Sequence, residues 1–202
     1  MIVVGLTGNF GSGKTTVARL FSELGARTVD TDEIVRHLLR ESEVVEELKE
    51  AFGEDIMSGG SLDKKRLADW VFSDPHARVT LEDIIHPRVF REVQDELSHM
   101  PCEGDCIVIV EATVIFERGH QGKFDRIITV QTSEETALER LKEKGISKEE
   151  AMKRLGNQLP VEIKMRSSDF VIDNNNGIDS TAEQVRNVYQ ELLSAEKKRG
   201  NN

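Results

Sequence analysis

The chain has 202 residues, enough to bury a full core as one domain with a small insertion. Charged residues make up 32% of it and the formal net charge is −10, which excludes nonspecific nucleic-acid binding, a role that needs a basic face. No apolar run approaches the length of a membrane span, and Met1-Ile2-Val3-Val4 lacks the basic start of a signal peptide. Cys102 and Cys106, the only cysteines, make no disulfide framework, so reduced thiols and a cytoplasmic location are expected.

The first element is a buried strand, Ile2-Val3-Val4-Gly5-Leu6, and it runs straight into Gly8-Asn9-Phe10-Gly11-Ser12-Gly13-Lys14-Thr15. That run is G-x-x-x-x-G-K-T, the phosphate-binding loop of nucleoside-triphosphate enzymes. Gly8, Gly11 and Gly13 let the backbone curl so that successive N–H groups, that of Ser12 included, point at phosphate oxygens. Lys14 can reach the β- and γ-phosphates of ATP, and the Thr15 hydroxyl can ligate Mg²⁺. A helix opens at this point and adds its positive end, with Thr16 in its first turn. Val17, Leu20, Phe21 and Leu24 mark its buried stripe and Gly25 its end.

Ala26–Asp30 predicts a second strand ending in Asp30-Thr31-Asp32. Phosphoryl transfer to an alcohol gains from a carboxylate that takes the hydroxyl proton. In a parallel sheet ligands gather beyond the carboxyl ends of the strands, where Asp32 would stand. Asp32 is therefore the candidate base, with helix capping as its structural alternative and packing as the role of Asp30. Arg36, one turn on, shares its face and either touches an acceptor phosphate or pairs with Asp32.

From 33 to about 103 strand signals are weak, and an all-helical insertion is expected, of the kind that holds the acceptor in P-loop kinases. Val44, Val45, Leu48 and Phe52 predict one helix ended by Gly53; Leu67, Trp70, Val71 and Phe72 predict another, with Trp70 in the core. A longer helix runs from about Pro75 to Met100 and carries His86, whose ordinary roles are capping or core packing.

Cys106–Glu111 predicts the central strand. Glu111 at its end could hold Mg²⁺ through water, contact the acceptor, or sit in a buried ion pair. Arg126–Val130 is a fourth strand, followed by a helix carrying Arg140. The stretch from Arg140 to Arg166 holds eight Lys/Arg against four Glu, leaving −14 on the rest of the chain. Within it, 145–166 opens with the capping box Ser147-Lys148-Glu149-Glu150, carries Arg154, and breaks at Gly156 and Pro160. A short basic helix between hinge-like breaks predicts a lid over nucleotide, the alternative being a plain surface helix and loop. Arg140 and Arg154 are candidates for γ-phosphate contact, or else surface charges. Phe170–Asp173 is a fifth strand, and a last helix is expected to open on a capping box at Ser180. Strands alternating with helices predict a three-layer α/β fold of P-loop kinase type: a five-stranded parallel sheet built from 1–32, 104–144 and 167–202, a helical acceptor-binding insertion and a lid.

Taken together, these residues resemble the dephospho-coenzyme A kinase family. The resemblance rests on the loop from Gly8 to Thr16, Asp30-Thr31-Asp32 with Arg36, Phe52-Gly53, His86-Pro87, Phe116-Glu117, Arg154 with Gln158, and Phe170-Val171-Ile172-Asp173-Asn174-Asn175. It implies ATP with Mg²⁺ as donor and the ribose 3′-hydroxyl of dephospho-coenzyme A as acceptor, the last step of coenzyme A synthesis. It also implies a base at Asp32, γ-phosphate contact from Arg140, and acceptor contacts within the helical insertion. The chain departs from the family pattern at Glu111-Ala112-Thr113-Val114-Ile115, where an aspartate with Pro-Leu-Leu is usual, and at Lys144-Gly145, where an Arg-Asp pair is common. A kinase of the same fold with another small acceptor is the nearest rival reading, and a regulatory P-loop NTPase is the rival from another class. Guanine recognition by Asn-Lys-x-Asp finds no match in the chain. The sequence leaves the oligomeric state open.

Overall fold

A computed structural model describes residues 1–102 and 106–200, without the side chains of the last five. The chain forms two compact units, one from Met1–Asp30 and Pro101–Asn202, the other from Thr31–Met100.

The first unit opens with β1 (Ile2–Thr7), α1 (Lys14–Glu23) and β2 (Arg27–Asp30). The second unit follows with α2 (Thr31–Leu38), α3 (Ser42–Phe52), β3 (Met57–Ser58), β4 (Ser61–Leu62), α4 (Lys64–Ser73) and α5 (Pro75–His99). The chain then returns to the first unit through β5 (Ile107–Glu111), β6 (Arg126–Gln131), α6 (Glu134–Glu143), α7 (Lys148–Leu155), α8 (Val161–Arg166), β7 (Phe170–Asp173) and α9 (Ile178–Gly200).

Among the described residues of the first unit, five strands form a parallel sheet in the order β2-β5-β1-β6-β7. Near-continuous apolar runs such as Ile107–Val110 suit strands covered on both faces. Alternate residues Ile2, Val4 and Leu6, with Ile109, Ile128, Val130 and Ile172, pack against Phe21 of α1 and Val185 and Leu192 of α9. The opposite face carries Ile115, Phe116 and Ile127, with Leu159 against them. Gly5 lies on that face, where a Cβ would stand 2.7 Å from Ile115 Cδ1 and 3.0 Å from the Phe124 ring, so a larger residue would have to displace these side chains.

In the second unit α5 packs against α2, α3 and α4 over Ile34, Leu48, Leu67, Ile84 and Val89. Side-chain caps start two of these helices: Asp63 accepts from the Lys65 and Arg66 amides, and Asp74 accepts from the His76 amide ahead of Pro75.

Several expectations are corrected. The insertion is not all helical, because β3 and β4 form a short antiparallel hairpin. Trp70 is not core: it is 37% exposed and meets Phe52 edge-on. The last helix starts at Ile178, and Thr181 turns its hydroxyl to Asn174 instead of capping. Cys102 and Cys106 are not free thiols but a disulfide, their Cα atoms 5.8 Å apart. The two are four positions apart in the sequence, and their Cα separation lies within the range a disulfide spans.

Candidate active site

The site is built at the carboxyl ends of β1, β5 and β6. β1 ends at Thr7, and the loop that follows bends through glycines with positive φ. Gly8 has φ 151°, and a Cβ there would stand 2.3 Å from the Val130 carbonyl oxygen. Gly13 has φ 88° and precedes the first residue of α1, with Asn174 Nδ2 2.3 Å from where its Cβ would be. Both positions need glycine for conformation and for space.

Asn174 holds this loop in place. It is buried just beyond β7; its Nδ2 donates to the Ser12 carbonyl at 2.8 Å, and its Oδ1 accepts from the Thr181 hydroxyl at 2.9 Å. Arg140, near the end of α6, donates through Nη2 to the Asn174 carbonyl at 2.8 Å. Its Nη1 is buried with no hydrogen-bond partner and lies 3.6 Å from the Gly13 Cβ position, and the buried Ser12 hydroxyl also lacks a partner. Buried donors left open around a curled glycine loop at a helix N-terminus are what a polyphosphate would satisfy.

Lys14 is buried and folds back to donate to the Gly8 carbonyl at 3.0 Å. Thr15 donates its hydroxyl to Glu111 Oε1 at 2.9 Å, and Glu111 stands opposite Asp30 in the β2–β5 register. A hydroxyl and a carboxylate in contact form an oxygen donor set suited to Mg²⁺. Thr16 follows in the first turn of α1.

The lid candidate already touches the loop. Phe10 donates its amide to Gln158 Oε1 at 2.8 Å, and Asn9 donates to the Leu159 carbonyl at 3.3 Å. The Arg154 guanidinium lies over the Phe10 ring, 4.8 Å from its centre, while its Nη2 pairs with Glu150 at 2.5 Å. Ser147 caps α7 by accepting from the Glu150 amide. A cavity of about 450 Å³ opens between Phe10, Ser12, Thr132, Leu155 and Gln158. The His120 imidazole, in the turn after β5, is held below the usual histidine pKa by burial and then by Lys123 and Arg118.

Thus Gly8, Gly11, Ser12, Gly13, Lys14, Thr15, Thr16, Arg140, Arg154 and Glu111 all belong to the first unit and gather around one loop. The remaining candidates belong to the second unit. Asp32 is exposed inside the first turn of α2, past the cap position, and Arg36 donates through Nε to its backbone carbonyl at 3.2 Å. His86 lies midway along α5, partly buried. Sequence reasoning assigned no role to Asn174, Glu117 or Lys164. The first two lay in motifs already singled out, and Lys164, in a short charged stretch, gave no sign of burial.

A parallel sheet with a glycine loop between its central strand and a helix, a Lys-Thr pair at the helix start and basic side chains beside it, defines a P-loop kinase. A family model described as dephospho-CoA kinase matches residues 2–180. The dephospho-CoA kinase of Aquifex aeolicus is 38% identical over 191 residues, covering 94% of this chain and 96% of that one. Among solved structures, TT1252 from Thermus thermophilus superposes with a TM-score of 0.83 at 36% identity, covering 95% of this chain and 97% of that one. The dephospho-CoA kinase from Campylobacter jejuni gives 0.68 at 25% identity, with 96% and 98% covered. The chain belongs to the dephospho-CoA kinase family, kinases that phosphorylate the 3′-hydroxyl of dephospho-CoA.

Proposed function

We infer that this chain transfers the γ-phosphoryl group of ATP to the ribose 3′-hydroxyl of dephospho-coenzyme A, completing coenzyme A. The observation that carries the donor half is the curled loop of 8–15 with Lys14 folded inside it and the open donors of Ser12 and Arg140 beside it. Backbone amides of that loop bind the β- and γ-phosphates. Lys14 and Arg140 neutralise charge that grows on the transferred group, and Arg154 adds a contact from above. Thr15 and Glu111 would hold Mg²⁺, which supplies further neutralisation of the phosphate oxygens when bound.

Asp32 is assigned as the base that orients the 3′-hydroxyl and accepts its proton. Its support is its place two residues past β2, the strand that pairs with the one ending in Glu111. Arg36, His86 and Glu111 complete the acceptor contacts, and the helical insertion supplies the acceptor site. Residues 145–166 act as a lid that closes on nucleotide. The partners are two small molecules; the net charge of −10 speaks against nucleic acid. Among the described residues no helix is long and apolar enough to cross a membrane, and the proposed location is the cytoplasm.

A coupled ADP-release assay with a panel of acceptors tests the assignment. Dephospho-coenzyme A should be turned over far faster than nucleosides or nucleoside monophosphates. Faster turnover of a nucleoside monophosphate would transfer the protein to another branch of the same fold.

A further inference from the structure

Lys164 is fully buried, yet it is a lysine on a six-residue helix of a charged segment. Its Nζ stands 2.7 Å from Glu117 Oε1 and donates to the Thr113 carbonyl at 3.3 Å. Glu117 Oε1 accepts at the same time from the Leu159 amide at 3.0 Å. Each of these contacts leads to the phosphate-binding loop. The Thr113 carbonyl also accepts from the hydroxyl of Thr7, the residue before Gly8, at 3.0 Å. The Leu159 carbonyl accepts from Asn9, and its neighbour Gln158 accepts from the Phe10 amide. The contacts close a ring: Thr7, Thr113, Lys164, Glu117, Leu159, Asn9 and back along the chain to Thr7.

We propose that Lys164, paired with Glu117, is a positioning residue for ATP: it clamps both arms of the phosphate-binding loop, through Thr113 to the start at Thr7 and through Leu159 to the bend at Asn9 and Phe10. The proposal rests on the reading of 8–15 as the ATP loop. The physical case is one of cost against use. Burying an ammonium and a carboxylate is expensive, and an apolar pair of similar volume often serves stability as well or better. Burial pulls the Lys164 pKa below the usual lysine value, with the Glu117 bond opposing, so desolvation is felt at this site. A pair that gains little for stability but ties two loops to the phosphate site by directional bonds is explained by what it positions. It also divides the lid: residues from Gln158 to Lys164 are anchored to the core by these bonds, and closure falls to the part before them.

The test is the double variant Lys164→Met/Glu117→Gln. Met fills the volume of the lysine stem, Gln keeps an oxygen for the Leu159 amide, and no unpaired charge stays buried. Its thermal transition should lie close to that of the wild type. Its kcat should fall by about 10²-fold, the scale of a roughly 1 Å misplacement near the reacting groups. KM for ATP should rise severalfold while KM for dephospho-coenzyme A stays unchanged. Lys164→Met alone should be less stable than the double variant, because it leaves Glu117 charged and buried. Wild-type kcat and ATP KM in a folded double variant would overturn the proposal, as would a loss of rate that follows the folded fraction with both KM values intact. ATP affinity by calorimetry gives a separate readout. It must weaken in the double variant even if the wild type proved inactive on dephospho-coenzyme A, a result that would refute the functional reading instead.

Discussion

Asn174→Ala removes the side chain that ties the phosphate loop to the end of the sheet. Two buried hydrogen bonds vanish, from Nδ2 to the Ser12 carbonyl and from the Thr181 hydroxyl to Oδ1, while both Asn174 backbone bonds, to Gln131 and from Arg140, remain. Each orphaned buried group costs roughly 1–3 kcal/mol, so the variant should lose about 3 kcal/mol. For a chain of this size that corresponds to a fall in Tm of about 6–12 °C. Thr181→Val strands only Oδ1 and should cost about half as much, and the double variant should fall short of additivity by about 1 kcal/mol. The freed Ser12 carbonyl loosens the loop, so kcat/KM for ATP should drop by about 10²-fold. Gly13→Ala should be worse than the usual glycine replacement, since its Cβ would meet Asn174 Nδ2 at 2.3 Å with φ at 88°. Scanning calorimetry and steady-state kinetics at varied ATP measure both effects. A Tm within a degree or two of wild type together with an unchanged kcat/KM for ATP would show that Asn174 does not anchor the loop.

Asp32→Asn keeps shape and hydrogen-bonding reach but cannot take a proton, so kcat should fall by about 10²- to 10⁴-fold with ATP affinity little changed; full turnover with much weaker ATP–Mg²⁺ binding would make Asp32 a metal-site residue instead. On adding an ATP analogue, hydrogen exchange should slow in 145–157, while the backbone near Leu159, already bonded to Glu117 and Asn9, should be protected without it; equal protection of 145–157 with and without saturating analogue would count against a lid. The His120 pKa is depressed in the fold, so below its unfolded value of about 6.5 the unfolded chain binds the extra proton first. Stability should therefore fall as pH drops from about 7 through 6.5, and His120→Gln should flatten that fall; a wild-type Tm that is level over this range would refute the assignment.

The glycine loop of the candidate site and its flanking elements were readable because their determinants are local. Gly8 to Thr15 is one continuous run, and the strand before it and helix after it have unmixed periodicities. The strands at 107–111 and 170–173 were as plain, being apolar runs bounded by breaks. What escaped was non-local or too short. The Asn174–Ser12 bond spans 162 positions and the Lys164–Thr113 bond 51, and no periodicity reports such meetings. The hairpin of β3 and β4 has strands of two residues, below what alternation can register. Trp70 was assigned to the core by its hydrophobicity, but it sits at the edge of its helix's buried stripe of Leu67 and Val71 and keeps one face in solvent. The cysteine pairing depends on the separation of the Cys102 and Cys106 Cα atoms, which composition does not encode.

Position of the transferred phosphate tests the central claim most directly. The wild-type enzyme is incubated with ATP labelled in its γ-phosphate, Mg²⁺ and dephospho-coenzyme A, and the product is mapped by ³¹P NMR and mass spectrometry. The account predicts one labelled phosphate per product molecule, on the ribose 3′-oxygen, giving coenzyme A and an equal amount of ADP. Label at any other position, or ADP formed without a phosphorylated acceptor, would contradict it.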